Sequence, residues 1–210
     1  MHILCSSQHC NQPTIRYVGK RPRTPIYRNK DVILHFTWFA NQVEKSSGIH
    51  FMEMTEWGAA NADLQIFCDA SSQALGFWVP LHSTGFFSPL TNGSKTIFFN
   101  EALCVVSALH WATRLSPRPH KVAIHTDSLN TVEIFHTLKA ERNYNPLLML
   151  AVTLLIKCNV QLRIFFIPGS ENTVADALSR LLPHVAQSLS PSLSIQPFTP
   201  PQLAMGAHEE

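Results

Sequence analysis

Two apolar runs in this chain each close on an aspartate, and they limit the fold more than any other feature. Leu64 to Cys68 (LQIFC) leads into Asp69, and Lys121 to Thr126 (KVAIHT) leads into Asp127. Strands exposed on one face alternate apolar and polar residues. Runs that stay apolar along their length read as strands covered on both faces, and such strands lie in the middle of a sheet. A chain with two of them needs helices on both sides of that sheet, which points to the α/β class.

The rest of the chain supplies those parts. ALGFWVP and GFFSPL read as two short strands joined by turn residues, which predicts an antiparallel meander after the first run. NEALCVVSALHWA has helical spacing from about Asn100, an N-cap or first-turn residue, to about Leu115. Ser128 can cap a helix to about Lys139. Pro146 suits the first turn of another, LLMLAVTLLIK. QLRIFFIPG reads as a fifth strand stopped by Pro-Gly, and Thr173 to about Leu182 as a last short helix. The order is three strands, a helix, a strand, two helices, a strand and a helix. This predicts a mixed five-stranded sheet flanked by helices on both faces. Upstream, DVILHFTWFANQVEK (Asp31–Lys45) places Ile33, Phe36, Phe39, Ala40 and Val43 on one helical stripe, and a short strand is possible at Ile49–Met54. From Pro183 the composition shifts to Ser, Pro and Gln without a period, which predicts a disordered linker or tail over 183–210. The chain thus divides into an irregular arm (1–30), a helix and loop (31–63), the α/β body (64–182) and the tail.

Charge is spread unevenly. Arg16, Lys20, Arg21, Arg23, Arg28 and Lys30 give the arm six cations and no acid, whereas the other 180 residues hold 10 basic and 14 acidic residues. The arm is either a solvated linker or a strap that contacts phosphates. The five cysteines are odd in number and scattered, which implies free thiols in a reducing, intracellular compartment. Cys5, His9 and Cys10 lack the second ligand pair that a zinc site needs. The longest apolar run, Pro146 to Ile156, falls well short of the roughly 20 residues of a membrane span.

Only 14% of the residues are charged, so acids at the ends of apolar runs call for an explanation. Asp69 and Asp127 follow strands, and ligands of such sheets gather beyond the strands' carboxyl ends. Glu101 has Cys104, Val105, Ala108 and Ala112 as helical neighbours, which puts it on or beside a packed face. An inward glutamate is costly unless it is paired or binds metal. Asp176 lies at the margin of its helix, whose core stripe is Val174, Leu178 and Leu181, and a surface pair with Arg180 would also account for it. Two carboxylates about 4 Å apart repel by about 4 kcal/mol at an effective dielectric near 20. Oxygen-only ligands favour Mg²⁺ or Mn²⁺ as the compensating ion over Zn²⁺.

The segments FCDASSQALGFW, NEALCVVSALHWA, IHTDSLNTVEIF and FIPGSENTVADALSR resemble the ribonuclease H domain of retroelement reverse transcriptases, particularly the DIRS-like and gypsy-like groups. The resemblance runs from about Leu64 to Leu182, with acids spaced by 32, 26 and 49 residues. It implies an RNase H-like fold. It also implies two Mg²⁺ ions, replaceable by Mn²⁺, held by Asp69, Glu101, Asp127 and Asp176 as catalytic acids. The implied reaction is endonucleolytic cleavage of the RNA strand of an RNA–DNA hybrid. The implied partners are that hybrid and the other domains of a retroelement polyprotein. The segment around DVILHFTWFANQV resembles the end of a reverse-transcriptase connection. Cellular enzymes of this type carry a histidine in the loop before the last acid; the loop here, IPGSENTV, has none, which implies lower turnover.

Ser71, Ser72, Gln73, Ser128 and Asn130 follow the strand-end acids, and short polar side chains there can reach sugar hydroxyls. Taken one by one, the same residues read first as ordinary turn and cap chemistry. Arg114, Arg118 and Lys121 are the body's candidates for phosphate contacts. His125 reads as a strand residue before a proton shuttle, and the tryptophans as core before stacking platforms. The rival reading is a catalytically incomplete retroelement fragment that serves only as a binding or structural module. A DEDD-type exonuclease fits less well, since it would place Asp-x-Glu where this chain has Asp69-Ala70-Ser71.

Overall fold

The computed structural model describes residues 29–45, 56–90 and 95–202. The chain forms two compact units, Met1–Phe51 and Met52–Glu210. In the first, the described element is α1 (Lys30–Lys45), close to the helix its apolar stripe predicts. The arm before Asn29, the Cys5/His9/Cys10 group and the strand expected at 49–54 lie outside the described residues.

The second unit is built on β1 (Leu64–Ala70), β2 (Ala74–Val79), β3 (Thr84–Pro89), α2 (Ile97–Ala112), β4 (Lys121–Thr126), α3 (Leu129–Thr137), α4 (Asn145–Cys158), β5 (Gln161–Phe166), α5 (Thr173–Ser179), α6 (Pro183–Leu189) and β6 (Ser194–Pro197). The sheet order is β5-β4-β1-β2-β3-β6. β1, β2 and β3 form the antiparallel meander, while β4 joins β1 and β5 joins β4 in parallel. The α/β class and the mixed sheet are as expected.

Alternation along β2 separates two cores. Leu75, Phe77 and Val79 are fully buried on the face covered by α2, α3 and α4. Gly76 and Trp78 point to the other face, where Val174, Ala177 and Leu178 of α5 pack with Ala186 of α6 and with Leu193. α2 is apolar almost all round because it packs on the sheet and also meets α3 and α4. Its N-cap is Thr96, whose hydroxyl accepts from Phe99 N at 3.2 Å. The helix therefore starts three residues before Asn100, which is buried instead of capping. Ser128 caps α3 as expected, accepting from Thr131 N at 3.3 Å.

The C-terminal segment departs from expectation in two ways. Residues 183–202 form α6 and then β6 rather than a disordered tail, residues 203–210 lying outside the described ones, and β6 makes the sheet six-stranded rather than five-stranded. β6 pairs in parallel with β3, Thr84 opposite Ser194 and Phe87 opposite Pro197. A four-residue edge strand has a partner on one side only and tolerates proline at its end. Ala186 and Leu193, both buried, give this segment enough apolar surface to hold it in place. No helix among the described residues is long and apolar enough to cross a membrane.

Candidate active site

β1 and β4 are parallel neighbours, so their carboxyl ends leave the sheet at the same edge. Phe67 stands opposite His125; two residues further on, Asp69 and Asp127 follow side by side. α2 packs against β1 and carries Glu101 on its second turn. α5 packs across β1 and β2 from the other face and carries Asp176.

Proton affinity reports the convergence. The Asp69 carboxyl, 8% exposed, is pushed up to about 7, by burial first and then by the charges of Asp127, Asp176 and Glu101. A hydrogen bond from Ser179 Oγ to Asp69 Oδ2 at 2.5 Å opposes that rise. Glu101 is likewise raised, chiefly by burial and then by Asp127, while the Ser128 and Thr131 hydroxyls favour its ionised form. Asp176 is more exposed and pairs with Arg180 Nε at 2.7 Å. The surface pair with Arg180 is thus formed, and the charge of Asp176 also reaches Asp69.

Among the described residues, no three Asp, Glu, His or Cys side chains form a ready-made cage for a metal ion. Asp69 and Asp176 each turn an oxygen to a protein partner, Ser179 and Arg180. The donor chemistry does fit a hard cation. Asp127, Asp176 and Glu101 all act on Asp69, which burial and then these charges push up to about 7, so a cation there would offset both the burial and the repulsion. Asp69, Glu101, Asp127 and Asp176 would be its oxygen ligands.

The other expected site residues divide. The Ser71 hydroxyl is committed to the fold: it accepts from Gln73 N at 2.9 Å and donates to Ser179 O at 2.6 Å. Ser128 is a buried cap. Ser72, Gln73 and Asn130 are exposed beside the strand-end acids. Arg114, Arg118 and Lys121 are not brought to the acids. Lys121 opens β4 and Asp127 follows its end, so about 20 Å of strand separates them. Arg114 and Arg118 lie beyond the far end of α2 from Glu101, about 20 Å along its axis, and Arg118 Nε donates to Thr113 O at 2.8 Å. His125 is a strand residue, stacked on Phe67 at 4.5 Å with Nε2 bonded to Gln65. Trp57 is buried under the Arg163 guanidinium, which donates to Trp57 O at 2.6 Å.

Four residues not singled out from sequence complete the site. Gly76 lets α5 reach β1 and β2: a Cβ there would lie 2.5 Å from Ser179 N and 2.8 Å from Ala175 O. Gly169 leaves room for Asp127, whose Oδ2 would be 3.0 Å from an added Cβ. Asn172, fully enclosed, donates from Nδ2 to Cys68 O at 2.8 Å. Ser179 holds Asp69. A serine three positions after an acid, amid the apolar residues of ADALSR, was the available signal.

Neither a family model nor a curated protein matches the chain. Solved structures do. The RNase H1 of the halophilic archaeon Halobacterium salinarum NRC-1 is 15% identical, with a TM-score of 0.47 over 58% of this chain and 97% of that one. LC11-RNase H1 in complex with an RNA/DNA hybrid is 17% identical, with a TM-score of 0.48 over 61% and 100%. The N-terminal RNase H domain of a Mycobacterium tuberculosis protein, fused to maltose-binding protein, is 18% identical, with a TM-score of 0.44 over 60% and 99%. Likeness at this level concerns the path of the chain and says nothing about its chemistry.

Proposed function

We propose that this chain hydrolyses the RNA strand of RNA–DNA hybrids internally, as the RNase H part of a retroelement reverse transcriptase. The observation that carries the reading is Asp69 itself, a buried carboxyl at the carboxyl end of β1, pushed up to about 7 by burial first and then by the charges of Asp127, Asp176 and Glu101. Perturbed carboxyls clustered at the carboxyl edge of a sheet mark a functional site. The ADALSR and TDS segments support the retroelement assignment by resemblance.

In this reading Asp69, Glu101, Asp127 and Asp176 hold magnesium, which when bound supplies Lewis acidity at the scissile phosphate and neutralises charge on the leaving oxygen. The chain's residues do the positioning. α5 covers Asp69 and lowers the local dielectric, which strengthens every charge interaction around it. Ser72, Gln73 and Asn130 stand at the rim, where the 2′-hydroxyls that distinguish RNA from DNA would pass. With Arg114, Arg118 and Lys121 about 20 Å away, their contacts to the hybrid would be distant phosphates.

The test is the purified chain with labelled hybrid, duplex RNA and duplex DNA, each with Mg²⁺ or excess EDTA. Cleavage of the hybrid RNA alone, lost in EDTA and in Asp69→Asn, is the expected result. Hybrid binding without cleavage in Mg²⁺ or Mn²⁺ would favour the binding-only fragment, and cleavage persisting in EDTA would refute the proposal.

A further inference from the structure

Ser179 occupies an unusual position. It is completely buried, and its hydroxyl touches two of the four acids' residues. It lies 2.5 Å from Asp69 Oδ2 and 2.9 Å from the backbone oxygen of Asp176. A hydroxyl has one proton to give. The shorter distance is that of a charge-assisted bond to an ionised carboxylate, so once Asp69 is ionised the proton goes to it.

The fold does not need this hydroxyl to dock α5. Asn172 Nδ2 already ties the start of the helix to Cys68 O, and Ser71 Oγ ties its end through Ser179 O. Gly76 allows close contact between helix and sheet, and Val174, Ala177 and Leu178 supply the apolar packing. Alanine would suit a buried helical site against a glycine better, since it has no polar group to satisfy and a higher helix propensity. The hydroxyl therefore calls for a reason beyond packing, and the one side chain it engages is Asp69, the buried acid at the end of β1.

We propose that Ser179 is a positioning residue for Asp69, fixing one carboxylate oxygen so that the other faces the acid cluster in a single orientation. The proposal rests on the nuclease reading for its consequence in catalysis, but not for its geometry. A side chain that orients a metal ligand from behind is worth roughly 10- to 100-fold in metal affinity or activity.

The experiment compares the full chain with its Ser179→Ala, Asp69→Asn and doubly substituted variants. Three readouts are taken: the Asp69 conformation in crystal structures, Mn²⁺ binding by calorimetry, and hybrid cleavage resolved into kcat and KM. Ser179→Ala is expected to spread the Asp69 carboxylate over more than one rotamer. It should also weaken Mn²⁺ binding about 10-fold and lower kcat by a similar factor, with KM for the hybrid unchanged. In the Asp69→Asn background, loss of the hydroxyl should change Mn²⁺ binding no further. An unaltered single rotamer of Asp69 in Ser179→Ala would overturn the proposal, as would a further fall in the double variant. If the unsubstituted chain neither binds Mn²⁺ nor cleaves hybrid, the nuclease reading fails, and the Asp69 rotamer still decides the role of Ser179. Should the alanine variant not fold, Ser179→Cys, close in shape but a weaker donor, carries the same readouts with smaller changes.

Discussion

Asp69 costs the fold stability. Its carboxyl titrates near 7 in the folded chain against an ordinary value of 3.8. Between those values the folded state holds a proton that the unfolded state has released, so stability declines as pH rises through this window. The full difference corresponds to up to about 4 kcal/mol above pH 7. Glu101 is shifted in the same direction and adds to the decline. Asp69→Asn keeps the shape and can still accept from Ser179, but removes the charge. In chelator at pH 8 it should raise the melting temperature by several degrees, since 1 kcal/mol is worth about 2–4 °C in a chain of this size. The gain should shrink to nothing near pH 4, as followed by thermal denaturation across pH. A variant that is less stable at pH 8 would show that the carboxylate is compensated within the fold and that no counter-ion is wanted there.

At the scale of elements, the contact between α5 and the sheet is the most exacting. Gly76→Ala would push a methyl within 2.5 Å of Ser179 N and within 3 Å of two further backbone atoms. Overpacking against backbone costs about 1–3 kcal/mol, and here the helix that would move carries Asp176 and Ser179. The expected outcome is a lower melting temperature together with a fall in hybrid cleavage larger than the reduced stability explains. Normal cleavage would mean that α5 can shift without disturbing Asp69. The same packing also marks the limit of what could be read from the chain. Asp69, Asp127 and Glu101 were legible because apolar periodicity locates strand ends and the inner face of a helix. Gly76 and Gly169 were not, because a missing side chain has no pattern, and its value appears only when the atoms opposite it are known. β6 was missed for a related reason. SIQP is too short to show alternation, and its pairing depends on Ala186 and Leu193 packing under α5 rather than on its own composition. Thr96 rather than Asn100 caps α2 because Ile97, Phe98 and Phe99 join the helix, although aromatic and β-branched residues there read equally well as strand.

Across the whole molecule, charge is divided between the arm and the body. The residues after Lys30 hold 10 cations against 14 acids, and in the proposed function a hybrid approaching the carboxylate edge would meet repulsion until cations are bound. Attraction for phosphates must come from elsewhere, and the six cations of the first 30 residues are the densest source in the chain. Deleting residues 1–28 removes Arg16, Lys20, Arg21, Arg23 and Arg28 and leaves every element of the sheet unit intact. Each phosphate deprived of its cationic partner should flatten the dependence of log affinity on log salt by about 0.9. A phosphate-contacting arm therefore predicts weaker hybrid binding and a slope shallower by up to about 4.5. A solvated linker predicts an unchanged slope. Measuring binding in the Asp69→Asn background keeps the substrate whole, so that affinity is read without cleavage. The melting temperature of the sheet unit serves as the control, because deletion of a phosphate strap weakens binding without lowering it.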